Sequence, residues 1–112
     1  MTQQREVDLS NVRRQAIGAA GNVDVNATII GITSTGAAYT ITLQTEALLK
    51  GKMYIIRDEG GASNTDNITV ATEGSETIDG GATAVLDVND QTLWIYSDGA
   101  NWHTLTPTDP AL

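Results

Sequence analysis

The chain has 112 residues and a net charge of −8, and it contains no cysteine. This length holds one compact domain, and the lack of cysteine excludes a disulfide scaffold, a thiolate metal site and a cysteine nucleophile. The acidic balance argues against a nucleic-acid partner, because neutralising backbone phosphates requires clustered lysine and arginine.

Residues 1–22 differ from the rest of the chain and predict an N-terminal arm. They hold three of the six basic residues and lack the alternation of a strand. Ser10 could begin a short helix that Gly18 or Gly21 would end. Such a segment either docks on another protein or is a frayed terminus, and the residues alone leave both open. The side chains that would make the docking contact are Val7, Leu9, Val12, Arg13, Arg14 and Ile17.

From Val23 onward the hydrophobic period becomes two, which is typical of short strands. Residues 28–33 and 39–43 predict a β-hairpin, since a short loop of Ser, Thr, Gly and Ala separates them. Residues 45–51 predict one helical turn, with a threonine at its start and a glycine at its end. The continuous apolar run of residues 53–56 predicts a strand covered on both faces, and therefore a central strand.

The second half of the chain continues the same pattern of short strands and glycine-rich turns. The remaining predicted strands, of which the last two form a terminal hairpin, cover residues 67–72, 77–78, 84–88, 92–96 and 102–105. Two prolines predict an extended tail over residues 107–112. Seven or eight strands at a spacing of roughly ten residues predict an all-β fold, a compact antiparallel β-sandwich or jelly-roll-like domain over residues 23–106.

One predicted strand is apolar on both faces, which a small sandwich with one inner side does not need. Leu93 and Ile95 share one face, and Trp94 and Tyr96 share the other. The second face predicts contact with a neighbouring subunit, and the small number of bulky apolar residues supports the same expectation. We expect an oligomer with Leu93, Trp94, Ile95 and Tyr96 at the subunit interface.

An ordered set of short motifs lies in the second half of the chain. It comprises GKMYIIRD (residues 51–58), NITV (67–70), IDG (78–80) and WIYSDGANW (94–102). This set resembles a β-structured module of tailed-bacteriophage and related viral structural proteins, which recurs in tail fibres, head fibres and capsid decorations.

The resemblance implies a compact β-structured module, commonly trimeric, on the outside of a virion, and it does not imply catalysis. Such a protein is made in the host cytoplasm, and we expect this chain to be a homotrimer. The implied partners are copies of the chain itself and the major capsid protein or another virion protein, which the arm would contact. The chain has no long repetitive shaft, which favours a capsid-surface decoration or a head-fibre base over a free-standing fibre. The alternative is the receptor-binding tip of a fibre, with a host-surface glycan as its ligand.

The turn of the last motif has a purely structural explanation. Asp98 can accept hydrogen bonds from turn amides, Gly99 can adopt a positive φ, and Asn101 tolerates the left-handed region. Trp102 is expected to pack in the core.

Catalytic and metal chemistry find little support in the sequence. The one histidine, His103, lies on a predicted strand, and no serine stands in a nucleophile-elbow sequence. The acidic loop of residues 58–66 offers oxygen atoms for Ca²⁺, but its spacing departs from that of an EF-hand loop. We therefore expect no enzyme activity, no cofactor and no metal. No apolar run is long enough for a membrane span, so we expect no membrane partner.

Overall fold

The computed structural model describes residues 12–33 and 36–105, and this part of the chain is nearly all β, as the sequence predicted. The strands are β1 (Arg14–Ile17), β2 (Gly21–Val23), β3 (Ile29–Ile32), β4 (Tyr39–Leu43), β5 (Met53–Asp58), β6 (Ile68–Thr72), β7 (Thr83–Leu86), β8 (Thr92–Ser97) and β9 (Trp102–Thr104). The predicted helical turn is a single 3-10 turn over Thr45–Ala47.

From β1 to β6 the chain alternates between two sheets, so each sheet gains one strand with every winding. The five-stranded sheet has the order β1-β3-β5-β8-β9, and the four-stranded sheet has the order β2-β4-β6-β7. The strands β1, β3 and β5 are parallel, as are β2, β4 and β6, whereas β7, β8 and β9 pair antiparallel with their neighbours. The fold is therefore a parallel two-sheet coil followed by three antiparallel strands.

The predicted antiparallel arrangement is wrong for the coil. The hairpin expected from residues 28–43 does not form, because β3 and β4 lie in different sheets. A hydrophobic period of two marks a strand with one buried face, but it does not reveal the direction of the neighbouring strand. The neighbours lie one winding away, with Ile30 beside Ile56 in one sheet and Ile41 beside Val70 in the other. The predicted terminal hairpin does form, from β8 and β9.

The sheets also begin earlier in the chain than predicted. Strands β1 and β2 lie within residues 1–22, the predicted arm, and each pairs with the strand one winding later. The prediction that this whole segment lacks strands, with a domain boundary at Val23, is therefore wrong. Both strands are too short to show a clear alternation of apolar and polar residues. Residues 1–11 of the arm and the predicted tail of residues 107–112 lie outside the described residues.

The inward side chains of both sheets form one core. Most of them are isoleucine, leucine and valine. Strand β5 is the third of five strands, central as predicted, but the expected cover on both faces is incomplete, because its outward Met53 and Ile55 are only half-buried. Trp102 and Tyr54 are the two fully buried aromatic residues of the core, and their ring centroids lie 5.6 Å apart. The Tyr54 hydroxyl donates a hydrogen bond to the carbonyl oxygen of Asp24 at 3.0 Å, and burial raises the pKa of Tyr54 to about 12. The core therefore depends on two large rings among small aliphatic side chains.

We predict that Trp102→Ala unfolds the domain or leaves it marginally stable. Removing a packed aromatic side chain costs about 3 to 5 kcal/mol, which is comparable with the whole stability of a small domain. Urea denaturation followed by circular dichroism measures the loss. The control is Leu49→Ala, because Leu49 is a large apolar residue that is 64% exposed and its removal leaves the core intact. Equal stability of the Trp102 variant and the unmodified chain would contradict this account of the core.

Candidate functional site

The turn between β8 and β9 is built by the side chain of one aspartate. Asp98 Oδ1 accepts hydrogen bonds from the backbone N–H groups of Ala100 and Asn101, both at 2.8 Å. Gly99 has a φ of +100°, and its N–H donates to Ser97 Oγ at 2.9 Å. Ser97, Asp98 and Gly99 of the WIYSDGANW motif therefore stabilise this turn.

Two further side chains connect the β8–β9 hairpin to the loop between β6 and β7. Asn101 Oδ1 accepts a hydrogen bond from the N–H of Thr77 at 2.8 Å, and Asp79 Oδ1 accepts one from the N–H of Thr104 at 2.9 Å. The backbone of Trp102 also bonds to this loop, since its N–H donates to the carbonyl oxygen of Thr77 at 2.8 Å. The IDG and WIYSDGANW motifs therefore form one connected structure at the edge of the five-stranded sheet.

The single histidine of the chain completes the turn rather than a catalytic triad. His103 Nε2 lies 2.8 Å from Asp98 Oδ2, and the His103 ring stacks on Tyr96 with centroids 5.4 Å apart. The hydrogen bond to His103, together with those from Asn101 and Ala100, holds the pKa of Asp98 well below its usual range. The aspartate is therefore ionised at neutral pH, and both of its oxygen atoms are already bonded within the hairpin.

We predict that acid destabilises the hairpin through Asp98. Because the folded-state pKa of this carboxyl lies below its unfolded value of about 3.9, its contribution to stability is present above that pH and is lost as the pH falls further. The melting temperature of the unmodified chain should fall below pH 4, and Asp98→Asn should show a smaller fall. Thermal melts from pH 2 to pH 6 measure both slopes. Identical slopes for the two proteins would remove Asp98 from the explanation.

The outward side of the five-stranded sheet carries a band of apolar and aromatic side chains. Its first row runs across three strands from Ile29 through Ile55 to Trp94, and a second row joins Met53 to Tyr96. Trp94 and Leu105 are 42% and 45% exposed, and the others are half-buried. We call this surface the aromatic face, and its members are Ile29, Met53, Ile55, Trp94, Tyr96 and Leu105.

The four residues expected at a subunit interface divide between the two sides of this sheet. Leu93 and Ile95 point into the core and are almost or fully buried, whereas Trp94 and Tyr96 lie on the aromatic face. Leu93 and Ile95 cannot contact another subunit from this position, so their assignment to an interface is wrong. The sequence predicted the division into two faces but could not decide which face was inside.

An ion pair spans one end of the aromatic face. Arg14 on β1 donates from Nε to Glu59 Oε2 at 3.1 Å, and Glu59 crosses over β3 at Gly31. A Cβ atom at Gly31 would lie 2.2 Å from Glu59 Oε2, so a side chain at this position would displace the Glu59 carboxylate. Arg57 lies exposed in the same row as Gly31, on the neighbouring strand. The sequence did not reveal this arrangement, because its members lie on β1, β3 and β5 and meet only in the folded sheet.

The docking residues predicted for the arm are also separated by the structure. Val12, Arg13 and Arg14 are exposed, and Arg14 is engaged with Glu59. Ile17 is 6% exposed in the core, which rules out its predicted role as a docking anchor. The other two predicted anchors, Val7 and Leu9, lie outside the described residues.

The conformation of the acidic loop, residues 58–66, depends on hydrogen bonds to its first residue, Asp58. Asp58 is fully buried, and its carboxylate accepts hydrogen bonds from the N–H groups of Gly61, Ser63 and Asp90 at 2.9, 3.0 and 3.0 Å. Burial acts to raise the pKa of Asp58, but these hydrogen bonds outweigh it and the pKa is lowered. Within residues 12–33 and 36–105 no group of three or more His, Asp or Glu side chains could hold a metal ion.

We predict that Asp58→Ala destabilises the domain by about 3 kcal/mol or more. Three backbone N–H groups would lose a charged acceptor, and each such hydrogen bond contributes about 1.5 to 3 kcal/mol. The control is Asp66→Ala in the same loop, whose side chain is only half-buried. Urea denaturation of both variants measures the difference. Similar losses for the two variants would show that the loop does not depend on Asp58.

Comparisons with known proteins do not assign the chain to a group. No family model matches its sequence, and no curated protein matches it. In the part of the chain that the structure describes, no helix is long and apolar enough to cross a membrane.

Proposed function

We propose that this chain is a virion structural protein that decorates the capsid surface or forms a head-fibre base. It acts as a homotrimer attached to the major capsid protein or another virion protein, and it catalyses no reaction. Its place is the outside of the particle, and it is made in the host cytoplasm.

The observation that carries this proposal is the ordered motif set of residues 51–105. The first and last motifs lie on β5, β8 and β9, which are adjacent strands of one sheet. They also share the core, because Tyr54 from the first motif packs on Trp102 from the last. The IDG motif is also bonded to the last motif, and the NITV motif lies on β6 in the other sheet. Three of the four motifs therefore form one connected structural unit. This unity supports the resemblance to viral β modules.

The start of the described chain supports attachment through the arm. Val12 and Arg13 are exposed immediately before β1, and β1 is an edge strand of its sheet. A basic, apolar start to an otherwise acidic chain suits contact with a larger protein surface. Three arms on one trimer would bind together, so a modest affinity of each arm would still give durable attachment.

A second candidate function is the binding of a host-surface glycan by a fibre tip. It is favoured by the exposed indole of Trp94 on a sheet face, with the stacked pair of Tyr96 and His103 beside it. Aromatic rings of this kind offer flat apolar surfaces together with polar edges. A glycan array probed with the unmodified chain and with Trp94→Ala tests this candidate directly.

We predict that deleting residues 1–11 abolishes attachment without unfolding the domain. The deletion leaves every strand from β1 to β9 in place, so the truncated protein should keep the circular dichroism signal of its two sheets. Purified full-length and truncated proteins are added to virus particles assembled without this chain and are then sedimented. The full-length protein should sediment with the particles, and the truncated protein should stay in solution.

The control for this experiment is the full-length variant Thr40→Ala, which changes an exposed residue of the four-stranded sheet and should bind normally. Equal sedimentation of full-length and truncated proteins would assign attachment to the β domain. Failure of the full-length protein to sediment would contradict the proposed function.

A further inference from the structure

The aromatic face is a contiguous set of outward apolar side chains on an acidic chain. It extends over β3, β5 and β8 and continues to Leu105, whose N–H donates to the carbonyl oxygen of Trp94 at 2.7 Å. Contiguous exposed apolar patches rimmed by polar groups mark interaction surfaces. A partner that covers the aromatic face must match both its apolar rows and the charged residues beside them.

The charges at the β1 end of the aromatic face have the opposite sign to the chain as a whole. Arg14, Arg57 and Glu59 lie at this end and sum to a formal charge of +1, against −8 for the whole chain, whereas Asp98 lies at the other end, bonded to His103. Glu59 is hydrogen-bonded to Arg14 and also attracts Arg57, whose guanidinium has no acid hydrogen-bonded to it in the described structure. A fitting partner is therefore apolar at its centre and acidic at its rim.

The chain itself carries such a surface at the corner between β7 and β8. Val85 and Val88 are 39% and 58% exposed, and Asp87 and Asp90 beside them are exposed as well. We call these four residues the acidic corner. Its valines and carboxylates have the chemistry that the aromatic face requires.

The acidic corner is also held in a fixed conformation. Gln91 Oε1 accepts hydrogen bonds from the N–H groups of Asp87 and Val88 at 2.8 and 3.1 Å. The N–H of Asp90 donates to the buried carboxylate of Asp58. Such a surface loses little conformational freedom on binding, which favours association.

We propose that the aromatic face of one copy binds the acidic corner of the next copy. This contact joins two different surfaces and places the Arg57 guanidinium near Asp87 of the neighbour. Packing two aromatic faces against each other would instead bring arginines together and leave the acidic corners without a countercharge. The inference deepens the trimer of the proposed function, because a threefold ring requires contacts between two different surfaces of neighbouring copies.

The test is a charge exchange between Arg57 and Asp87, followed by light scattering after gel filtration at micromolar concentration. The unmodified chain should elute as a trimer. Arg57→Glu and Asp87→Arg should each weaken association at least tenfold, and the double variant should recover it to within a few-fold. Both positions are exposed, and far-UV circular dichroism confirms that each variant is folded.

The matched control is Arg13→Glu, which changes the net charge as Arg57→Glu does but belongs to neither surface; it should remain a trimer. A monomeric unmodified chain, or single variants that associate normally, would overturn the inference. So would a double variant that stays dissociated, because the aromatic face would then have another occupant.

Sedimentation with virus particles distinguishes failure of this contact from failure of the proposed function. A monomeric chain that still attaches to particles overturns this contact and the homotrimer, and leaves the proposed role as a virion structural protein standing. A trimer that recovers with the double variant but never binds particles supports the contact and contradicts the proposed function.

Discussion

The fold depends on the repeated crossing of the chain from one sheet to the other between β1 and β6. Each winding places its inward side chains directly beside those of the winding before, as with Ile30 and Ile56. Strands β1, β3 and β5 are parallel, as are β2, β4 and β6. Each of them therefore pairs with a strand that is distant in sequence, and the connections must pass around the core. Everything that lies on the two outer surfaces, including the aromatic face, takes its position from this winding.

Several carboxylates stabilise the fold through hydrogen bonds and are more than surface charges. Asp58, Asp79 and Asp98 each accept hydrogen bonds from backbone N–H groups of a turn or strand end. Such groups need partners wherever the chain leaves a sheet, and a charged acceptor satisfies several of them at once. Part of the negative charge of the chain is therefore required by its many turns and is not a surplus for solubility alone.

The two sheets present very different outer surfaces. The outer side of the four-stranded sheet carries Thr40, Thr42, Thr69, Thr83 and Val85, and the strands of this sheet hold no charged residue. The outer side of the five-stranded sheet carries large apolar side chains between arginines. The five-stranded sheet therefore has the more apolar and the more basic of the two outer surfaces.

Much of the local structure follows from the sequence alone. Alternation identified most of the strands, the apolar run at residues 53–56 identified the central one, and the turn at Asp98 marked the terminal hairpin. These features depend on short stretches of chain, where side-chain periodicity and turn chemistry act directly. The sequence also predicted the burial of Trp102, a large aromatic residue beside a tight turn.

Only the tertiary structure decided the direction of the strands, the start of the first sheet and the inner face of β8. Strand direction depends on which winding supplies the neighbour, and Leu93 and Trp94 are equally apolar until one side is covered. The ion pair of Arg14 and Glu59 over Gly31 likewise joins three strands that no sequence pattern links. The sequence by itself determined the strands and turns because these depend on near neighbours. The composition of the outer surfaces was decided by contacts between residues far apart in the chain.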